Sequence, residues 1–145
     1  MKKVVIVGAG EIAKNALATI FRIFPKDQEV EIVLLNRNRE RAEITYLDAS
    51  LEKDDISFSK DVKAITSKFN FKASDEPEDL QNADVIIFTI GMTAASIGSS
   101  NREAALPFVY KLICEYAKHI KGYAPESFIL MITNPVDITT WIMRD

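Results

Sequence analysis

The chain has 145 residues, of which 48% are hydrophobic and 27% are charged, so it can bury the core of one domain of ordinary size. Its net charge of −3 gives no electrostatic footprint for nucleic acid or an anionic membrane. One cysteine excludes a disulfide framework, and no apolar run reaches the roughly 18 residues of a membrane span. We therefore expect a cytoplasmic protein with neither a nucleic-acid nor a membrane partner.

The first half of the chain alternates between strand and helix patterns. The β-branched run Lys3–Val7 and the apolar run Val30–Leu35 predict two buried strands. Helices are predicted over Glu11–Phe24, before the stop at Pro25, and over Arg39–Asp54. The apolar face of the first helix is predicted to contain Ile12, Leu17, Ile20, Ile23 and Phe24.

Three more strand patterns follow in the second half. They cover Phe69–Ser74, Asp84–Gly91 and Ser127–Thr133, and the last two are apolar enough to be buried on both faces. Such strands, alternating with helices, predict an α/β fold with a parallel sheet covered on both sides. We expect a single domain over residues 1–145.

The helices of the second half are less regular. A short helix is predicted over residues 75–83, with Asp75 near its cap and Pro77 in its first turn. A long helix is predicted from about Arg102 to Lys121, with Gly122 at its C-terminal cap. A last helix is expected to begin after Pro135.

The turn between the first strand and the first helix, GAGEIA over residues 8–13, has the G-x-G-x-x-A pattern of a dinucleotide-binding turn in the required context. Gly8 allows the tight turn, and Gly10 allows backbone to approach a pyrophosphate. The first helical residues, Glu11 and Ile12, offer unpaired N–H groups to the phosphates. The alternative is a plain strand–helix turn that needs glycine for a positive φ.

The tip of the second strand should carry an acidic residue for the adenosine ribose, but this sequence has Asn36 there, followed by Arg37. An amide accepts a hydrogen bond more weakly than a carboxylate and does not repel a 2′-phosphate. Arg37 or Arg39 could pair with such a phosphate, unless both are solvated charges at a helix start. The fold itself makes NAD the expected cofactor, and Asn36 with these arginines leaves NADP open.

A loop of about ten residues follows Gly91, and loops of this length often act as lids. Arg102 lies near its far end, where a positive charge opposes the helix macrodipole, so a structural reason for it is not obvious. A lid arginine could polarise a substrate carbonyl and exclude water when the lid closes. The alternative is an ordinary surface arginine.

Asn134 ends the apolar run of the last strand, and Pro135 prevents a central strand from continuing. The carboxyl end of a parallel strand lies in the crevice where such sheets bind ligands. The Asn134 amide could hold a nicotinamide ribose or a substrate oxygen, and it could also cap the next helix.

Together, GAGEIA, ERAEITYLDAS, ADVIIFTIG and ITNPVDITT resemble the Rossmann-type nucleotide-binding half of the lactate/malate dehydrogenase family, over essentially the whole chain. TNPVD is the most specific of these segments. The resemblance implies a doubly wound parallel sheet and a cofactor site that contains Gly8, Gly10, Asn36, Thr89, Ile90 and Gly91. It implies that Asn134 contacts substrate and nicotinamide. It also implies that Arg102 is the mobile-loop arginine that stabilises charge on the carbonyl oxygen.

By the same resemblance, the chain is half of a homo-oligomeric oxidoreductase that moves a hydride between a nicotinamide cofactor and a small L-2-hydroxy or 2-keto acid. Malate-specific members carry an arginine early in the lid, where this chain has Thr93–Ser96 without a cation, so a lactate-like or branched acid is favoured over malate. The acid–base histidine, its aspartate and the carboxylate-binding arginine would lie beyond Asp145. His119, the only histidine, is predicted to be structural, so the isolated domain should be inactive.

Two alternatives remain at this point. One is the first domain of an NAD- and metal-dependent glycosidase, whose metal ligands would again lie outside this chain. The other is a non-catalytic module that senses a dinucleotide. No metal site is predicted within the chain itself.

Overall fold

The computed structural model describes residues 1–25, 28–51, 69–91 and 106–144. Within them, one sheet of parallel strands has the order β3-β2-β1-β4-β5. The strands are β1 (Lys2–Val7), β2 (Val30–Leu35), β3 (Phe69–Ser74), β4 (Val85–Phe88) and β5 (Phe128–Met131). The α-helices are α1 (Glu11–Ile23), α2 (Arg39–Leu51), α3 (Leu106–Tyr123) and α4 (Val136–Arg144). The predicted α/β fold with a parallel sheet is confirmed.

The sheet is packed on both faces, because its central strands are apolar on both sides. Val5 of β1 belongs to a buried cluster that includes Ile113 of α3. Ile6, the next residue, belongs to a second cluster that includes Phe21 of α1 and Ala42 of α2. Neighbouring residues of one strand therefore anchor helices on opposite faces. Complete burial of a side chain such as Phe21 or Ile113 stabilises the fold by about 1.5–3 kcal/mol.

The buried face of α1 differs from the predicted one. Leu17 is buried as expected, and Ile20 and Phe24 are half-buried, but Ile12 and Ile23 are 44% and 74% exposed. The buried residues of α1 are Ala13, Leu17, Ala18 and Phe21. The prediction was wrong for Ile12 and Ile23 because the contact face follows a four-residue spacing that includes small alanines, which were not counted as apolar contacts.

The C-terminal end of α3 also differs from the prediction. Gly122 lies inside the last helical turn, and Ala124 N–H donates to Ile120 O at 2.8 Å. A glycine cap is not needed, because Ala124 is buried and the Tyr123 hydroxyl donates to Glu78 at 2.8 Å, which holds this turn in place.

Among the helices that the structure describes, none has the length and apolar character of a membrane span.

Three further elements are shorter in the structure than the sequence predicted. Residues 75–83 contain a single 3-10 turn, Pro77–Leu80, with Glu76 rather than Asp75 at its N-cap. β4 and β5 are each shorter than expected. β5 is an edge strand with Phe128 and Leu130 exposed, because the described chain covers only its other face. The predicted start of α3 near Arg102 and the last three residues predicted for α2 lie outside the described residues.

Candidate functional site

The strand ends bring several of the predicted site residues to one edge of the sheet. Gly8 follows β1, Asn36 follows β2, Thr89 follows β4, and Asn134 follows β5 by three positions. β1 is central, and the strand order reverses between β1 and β4. Open α/β sheets form their ligand crevice at such a reversal, beyond the carboxyl ends of the strands. Gly8 is thus at the middle of the edge, with Asn36 to one side and Asn134 to the other.

Gly8 has a conformation and a packing that any other residue would strain. Its φ is +114°, and its N–H donates to Leu35 O at 2.8 Å. A Cβ at this position would lie 2.6 Å from Thr89 Oγ1 and 3.2 Å from Ile90 N. Both the backbone angle and the available space therefore require glycine.

Gly10 leaves open space at the start of α1. It is the N-cap residue with φ of −102°, and a Cβ there would meet no atom within 4 Å. The N–H groups of the first helical turn have no partner within the helix and face this region. A pyrophosphate fits such a position, because the N–H groups and the helix dipole both favour an anion.

Glu11 and Ile12 open α1 beside this space, and both are exposed. The Glu11 carboxylate is paired with Lys14 Nζ at 2.9 Å. This pairing offsets a negative charge next to a turn that is suited to an anion. The exposed Ile12 side chain offers an apolar surface at the same place.

The tip of β2 is held by three hydrogen bonds. Asn36 N–H donates to Ser74 O at 2.9 Å, which joins the ends of β2 and β3. Asn36 Nδ2 donates to Asn38 O at 2.9 Å, which leaves Asn36 Oδ1 to accept a hydrogen bond from a ribose hydroxyl. Asn38 Oδ1 accepts from Arg41 N–H at 2.9 Å and so caps α2.

The two arginines proposed for a 2′-phosphate are both ion-paired. Arg37 contacts Glu115 of α3 at 2.5 Å, and Arg39 contacts Glu43 of α2 at 3.1 Å. All four side chains are more than 40% exposed, so each pair contributes at most about 1 kcal/mol. The pairs nevertheless direct Arg37 toward α3 and Arg39 along α2.

The end of β4 is tied to its neighbours by threonine hydroxyls. Thr89 is buried, and its N–H and Oγ1–H both donate to Val7 O at 2.9 Å. Ile90 O accepts from Thr133 Oγ1 at 2.6 Å, and a Cβ on Gly91 would meet nothing within 4 Å. The ends of β1, β4 and β5 are therefore joined directly behind the crevice.

Asn134 is exposed and precedes Pro135 through a cis peptide bond. Its side chain makes no hydrogen bond to another described residue, so it does not cap α4, and both ends of its amide are available to a ligand. The segment around it is held by Thr139, whose Oγ1 donates to Thr133 O at 2.8 Å and whose N–H donates to Pro135 O at 3.0 Å.

Arg102 and the segment Thr93–Ser96 lie outside the described residues, so their predicted roles stay predictions. Within the part of the chain that the structure describes, no group of three or more His, Cys, Asp and Glu side chains could hold a metal ion.

Two side chains of α2 contact the glycine turn and were not predicted to do so. Arg41 Nε donates to Ala9 O at 3.2 Å, and buried Thr45 Oγ1 donates to the same oxygen at 3.1 Å. No local pattern indicates these bonds, because they depend on how α2 packs beside α1. The Asn38 cap could have been found, since an asparagine just before a helical pattern is typical of an N-cap.

Comparison with known proteins agrees with this geometry. A family model described as the lactate/malate dehydrogenase NAD binding domain matches residues 2–145. The chain is 33% identical to the malate dehydrogenases of Methanosphaera stadtmanae and Pelagibacter ubique, and these alignments include 98% and 95% of this chain, respectively. It covers only 41% and 39% of those two proteins, so it spans about two fifths of their length.

Solved structures show the same Rossmann-type architecture. The malate dehydrogenase of Archaeoglobus fulgidus in complex with NADH matches with a TM-score of 0.74 and 25% identity, over 97% of this chain and 43% of that one. The lactate dehydrogenase of Eimeria maxima with NADH and oxamate matches with a TM-score of 0.72 and 25% identity, over 99% and 39%. The chain therefore belongs to the lactate/malate dehydrogenase family and corresponds to its NAD-binding domain.

Proposed function

We propose that this chain is the cofactor-binding part of an oxidoreductase that transfers a hydride between a nicotinamide cofactor and a small L-2-hydroxy or 2-keto acid. The observation that carries the proposal is the glycine turn at the strand-order reversal, where Gly8 admits no side chain and Gly10 leaves space before a helix N-terminus. When bound, NAD supplies a hydride acceptor and its reduced form a hydride donor.

The adenosine and pyrophosphate half of the cofactor is assigned to the ends of β1 and β2. Gly8 allows the tight turn, Gly10 allows backbone to approach the pyrophosphate, and the N–H groups of Glu11 and Ile12 donate to it. Asn36 Oδ1 accepts a hydrogen bond from the adenosine ribose. Arg37 borders this end of the site, although its ion pair with α3 directs it away from the turn.

The nicotinamide half is assigned to the ends of β4 and β5. Thr89, Ile90 and Gly91 form the wall of the crevice there, and the Asn134 amide binds the nicotinamide ribose or a substrate oxygen. Arg102 is proposed to polarise the substrate carbonyl from the following loop, because a cation stabilises the negative charge that develops on that oxygen.

We also propose that a substrate domain outside this chain completes the enzyme, because the chain spans only about two fifths of its relatives. That domain would carry the acid–base histidine, its aspartate and the arginine that binds the substrate carboxylate. His119 is a poor substitute, since its ring contacts Tyr116 and stacks on Tyr123 within α3. A homo-oligomer and a cytoplasmic location remain predictions for the whole protein.

The substrate is proposed to be a lactate-like or branched monocarboxylic acid, because Thr93–Ser96 brings no cation for a second carboxylate. Malate is the second candidate, and the observation that favours it is that the two relatives described above are named malate dehydrogenases.

The test is a steady-state assay of the complete natural protein with NADH and three acceptors: pyruvate, a branched 2-keto acid and oxaloacetate. We expect kcat/KM for a monocarboxylic acid to exceed that for oxaloacetate by about tenfold or more, because an unpaired second carboxylate is costly to desolvate. The opposite order would assign malate. Cofactor binding without oxidation of NADH by any acceptor would support a sensing module. The match to the lactate/malate dehydrogenase NAD binding domain favours the oxidoreductase over the glycosidase.

Replacing Arg102 tests the proposed lid residue in the same assay. Arg102→Ala should lower kcat by about a hundredfold or more, as removal of one transition-state donor does elsewhere. The affinity for NADH, measured by cofactor fluorescence, should stay within about twofold, because the arginine is assigned to the substrate. An unchanged kcat would identify Arg102 as a surface residue.

A further inference from the structure

Three arginines follow the tip of β2 at alternate positions, and each is directed to a different place. Arg37 is ion-paired to α3, on the opposite face of the sheet from α2. Arg39 is ion-paired along α2. Arg41 alone among the three contacts the glycine turn, through its Nε–H and Ala9 O at 3.2 Å.

The contact between Arg41 and the turn leaves most of the guanidinium free for an anion. Ala9 O is a neutral acceptor and takes only the Nε–H. No carboxylate in the described residues forms an ion pair with Arg41, and the residue is exposed. The two Nη groups therefore present four N–H donors in the planar arrangement that binds phosphate oxygens in pairs.

The chain around Arg41 also removes the group that would repel a phosphate. A carboxylate at the tip of β2 would repel it, but this chain has the neutral Asn36. Gly8 N–H donates to Leu35 O at 2.8 Å, so the glycine turn and the β2 tip are directly adjacent. Arg41 and Asn36 thus border the same region, which is where the adenosine ribose of a dinucleotide lies in this fold.

We propose that the adenosine end of this site accepts a 2′-phosphate, and that Arg41 is the residue that recognises it. The site then binds NADPH as well as NADH, and Arg37 and Arg39 are not the recognition residues. This inference rests on the proposed function, because it assumes that the glycine turn binds a dinucleotide.

A purely structural role for Arg41 makes a different prediction. If its only task were to hold the turn through Ala9 O, its loss would weaken NADH and NADPH binding equally. Thr45 offers a matched control, because its uncharged hydroxyl donates to the same oxygen at 3.1 Å. Thr45→Val removes that bond, together with the contact of the same hydroxyl with Arg41 O at 2.9 Å, and leaves the charge of Arg41 in place.

The experiment is a titration of the complete natural protein with NADH and with NADPH, followed by cofactor fluorescence and calorimetry. Arg41→Ala should weaken NADPH binding about tenfold or more beyond any change for NADH, as expected for the loss of a charge-assisted bond to phosphate. Thr45→Val should change both affinities by the same factor. Arg37→Ala should leave their ratio within about twofold.

Arg41→Gln guards against a folding defect, because glutamine keeps a donor for Ala9 O and removes the charge and the Nη donors. It should show the same selective loss of NADPH. The inference is overturned if wild type binds NADH but not NADPH, or if both Arg41 variants leave the ratio of affinities unchanged; the proposed function survives either result. Failure of wild type to bind either cofactor would instead overturn the proposed function.

Discussion

The glycine turn after β1 and the segment after β5 both border the crevice, but they are built in different ways. The turn is determined by backbone geometry: Gly8 has a positive φ, and no space for a side chain lies beside Thr89. The segment that holds Asn134 is determined by side chains, through the hydroxyls of Thr133 and Thr139.

The difference shows how each region presents groups to a ligand. The turn offers N–H groups and open space in front of them, so its chemistry depends on the absence of side chains. The β5 segment offers a side-chain amide on Asn134, which is exposed while the threonines beneath it are buried. Substitutions should therefore affect stability and binding in different proportions in the two regions.

The largest effect is expected for Gly8→Ala. The added Cβ would lie 2.6 Å from Thr89 Oγ1 at a φ of +114°, so we expect a loss of about 2–4 kcal/mol in the free energy of unfolding. Urea unfolding of the complete protein measures it. Gly10→Ala is the matched control: it should leave stability within about 1 kcal/mol but weaken dinucleotide binding, since its Cβ enters the open space. Equal destabilisation by both variants would contradict the distinction.

A smaller effect is expected from Thr133→Val in the β5 segment. The valine cannot donate to Ile90 O, which Thr133 Oγ1 contacts at 2.6 Å, so stability should fall by about 1–2 kcal/mol. Thr140→Val removes an exposed hydroxyl that donates to Val136 O at 2.6 Å, and it should cost less than about 0.5 kcal/mol. Similar losses for the two variants would show that the buried hydroxyl does not support this strand end.

The smallest effect concerns acid stability next to the β2 tip. Burial alone would raise the pKa of Asp79, but hydrogen bonds from Lys72, at 2.6 Å, and from the Ser74 hydroxyl outweigh it and lower the pKa. A lowered folded-state pKa contributes stability at pH values above the unfolded value of about 3.9, and this contribution is lost as pH falls through the folded-state pKa. Asp79→Asn should therefore cost about 1 kcal/mol near neutral pH and less at an acidic pH below the unfolded value of about 3.9.

Urea unfolding at both pH values measures this change. Ser74→Ala removes one of the two donors and should reproduce part of it. A cost for Asp79→Asn that stays the same at both pH values would show that the carboxylate charge is not what stabilises this end of β3.

Much of the architecture was predictable from the sequence, because strands buried on both faces and glycine turns leave strong local patterns. β2 and β3 were predicted at their observed bounds, and the parallel sheet followed from the alternation of strands and helices. The errors lie where tertiary packing decides. The face of α1 turns on the small residue Ala13, and the end of α3 is held by Tyr123 and Ala124, not by Gly122.

The candidate site was also predictable where local patterns place a residue at a strand end, and not where tertiary packing creates the contact. Gly8, Asn36 and Asn134 were chosen because they lie at the ends of predicted strands, whereas Thr89 was implied by the family resemblance; the sheet places all four at its carboxyl edge. The contact of Arg41 with the turn was not predictable, since its partner Ala9 lies 32 positions earlier in the chain. Only the packing of α2 beside the turn brings that side chain to Ala9 O.

The contact between Gly8 and Thr89 also restricts the order in which this protein can change during evolution. Position 8 shares one small volume with the Thr89 hydroxyl, so a larger residue at position 8 is tolerated sterically only after position 89 has lost its hydroxyl. Even then the positive φ disfavours a side chain. Loss of the Thr89 hydroxyl would also remove the bond that this hydroxyl donates to Val7 O, so each residue preserves the other, and drift should leave this pair among the last to diverge.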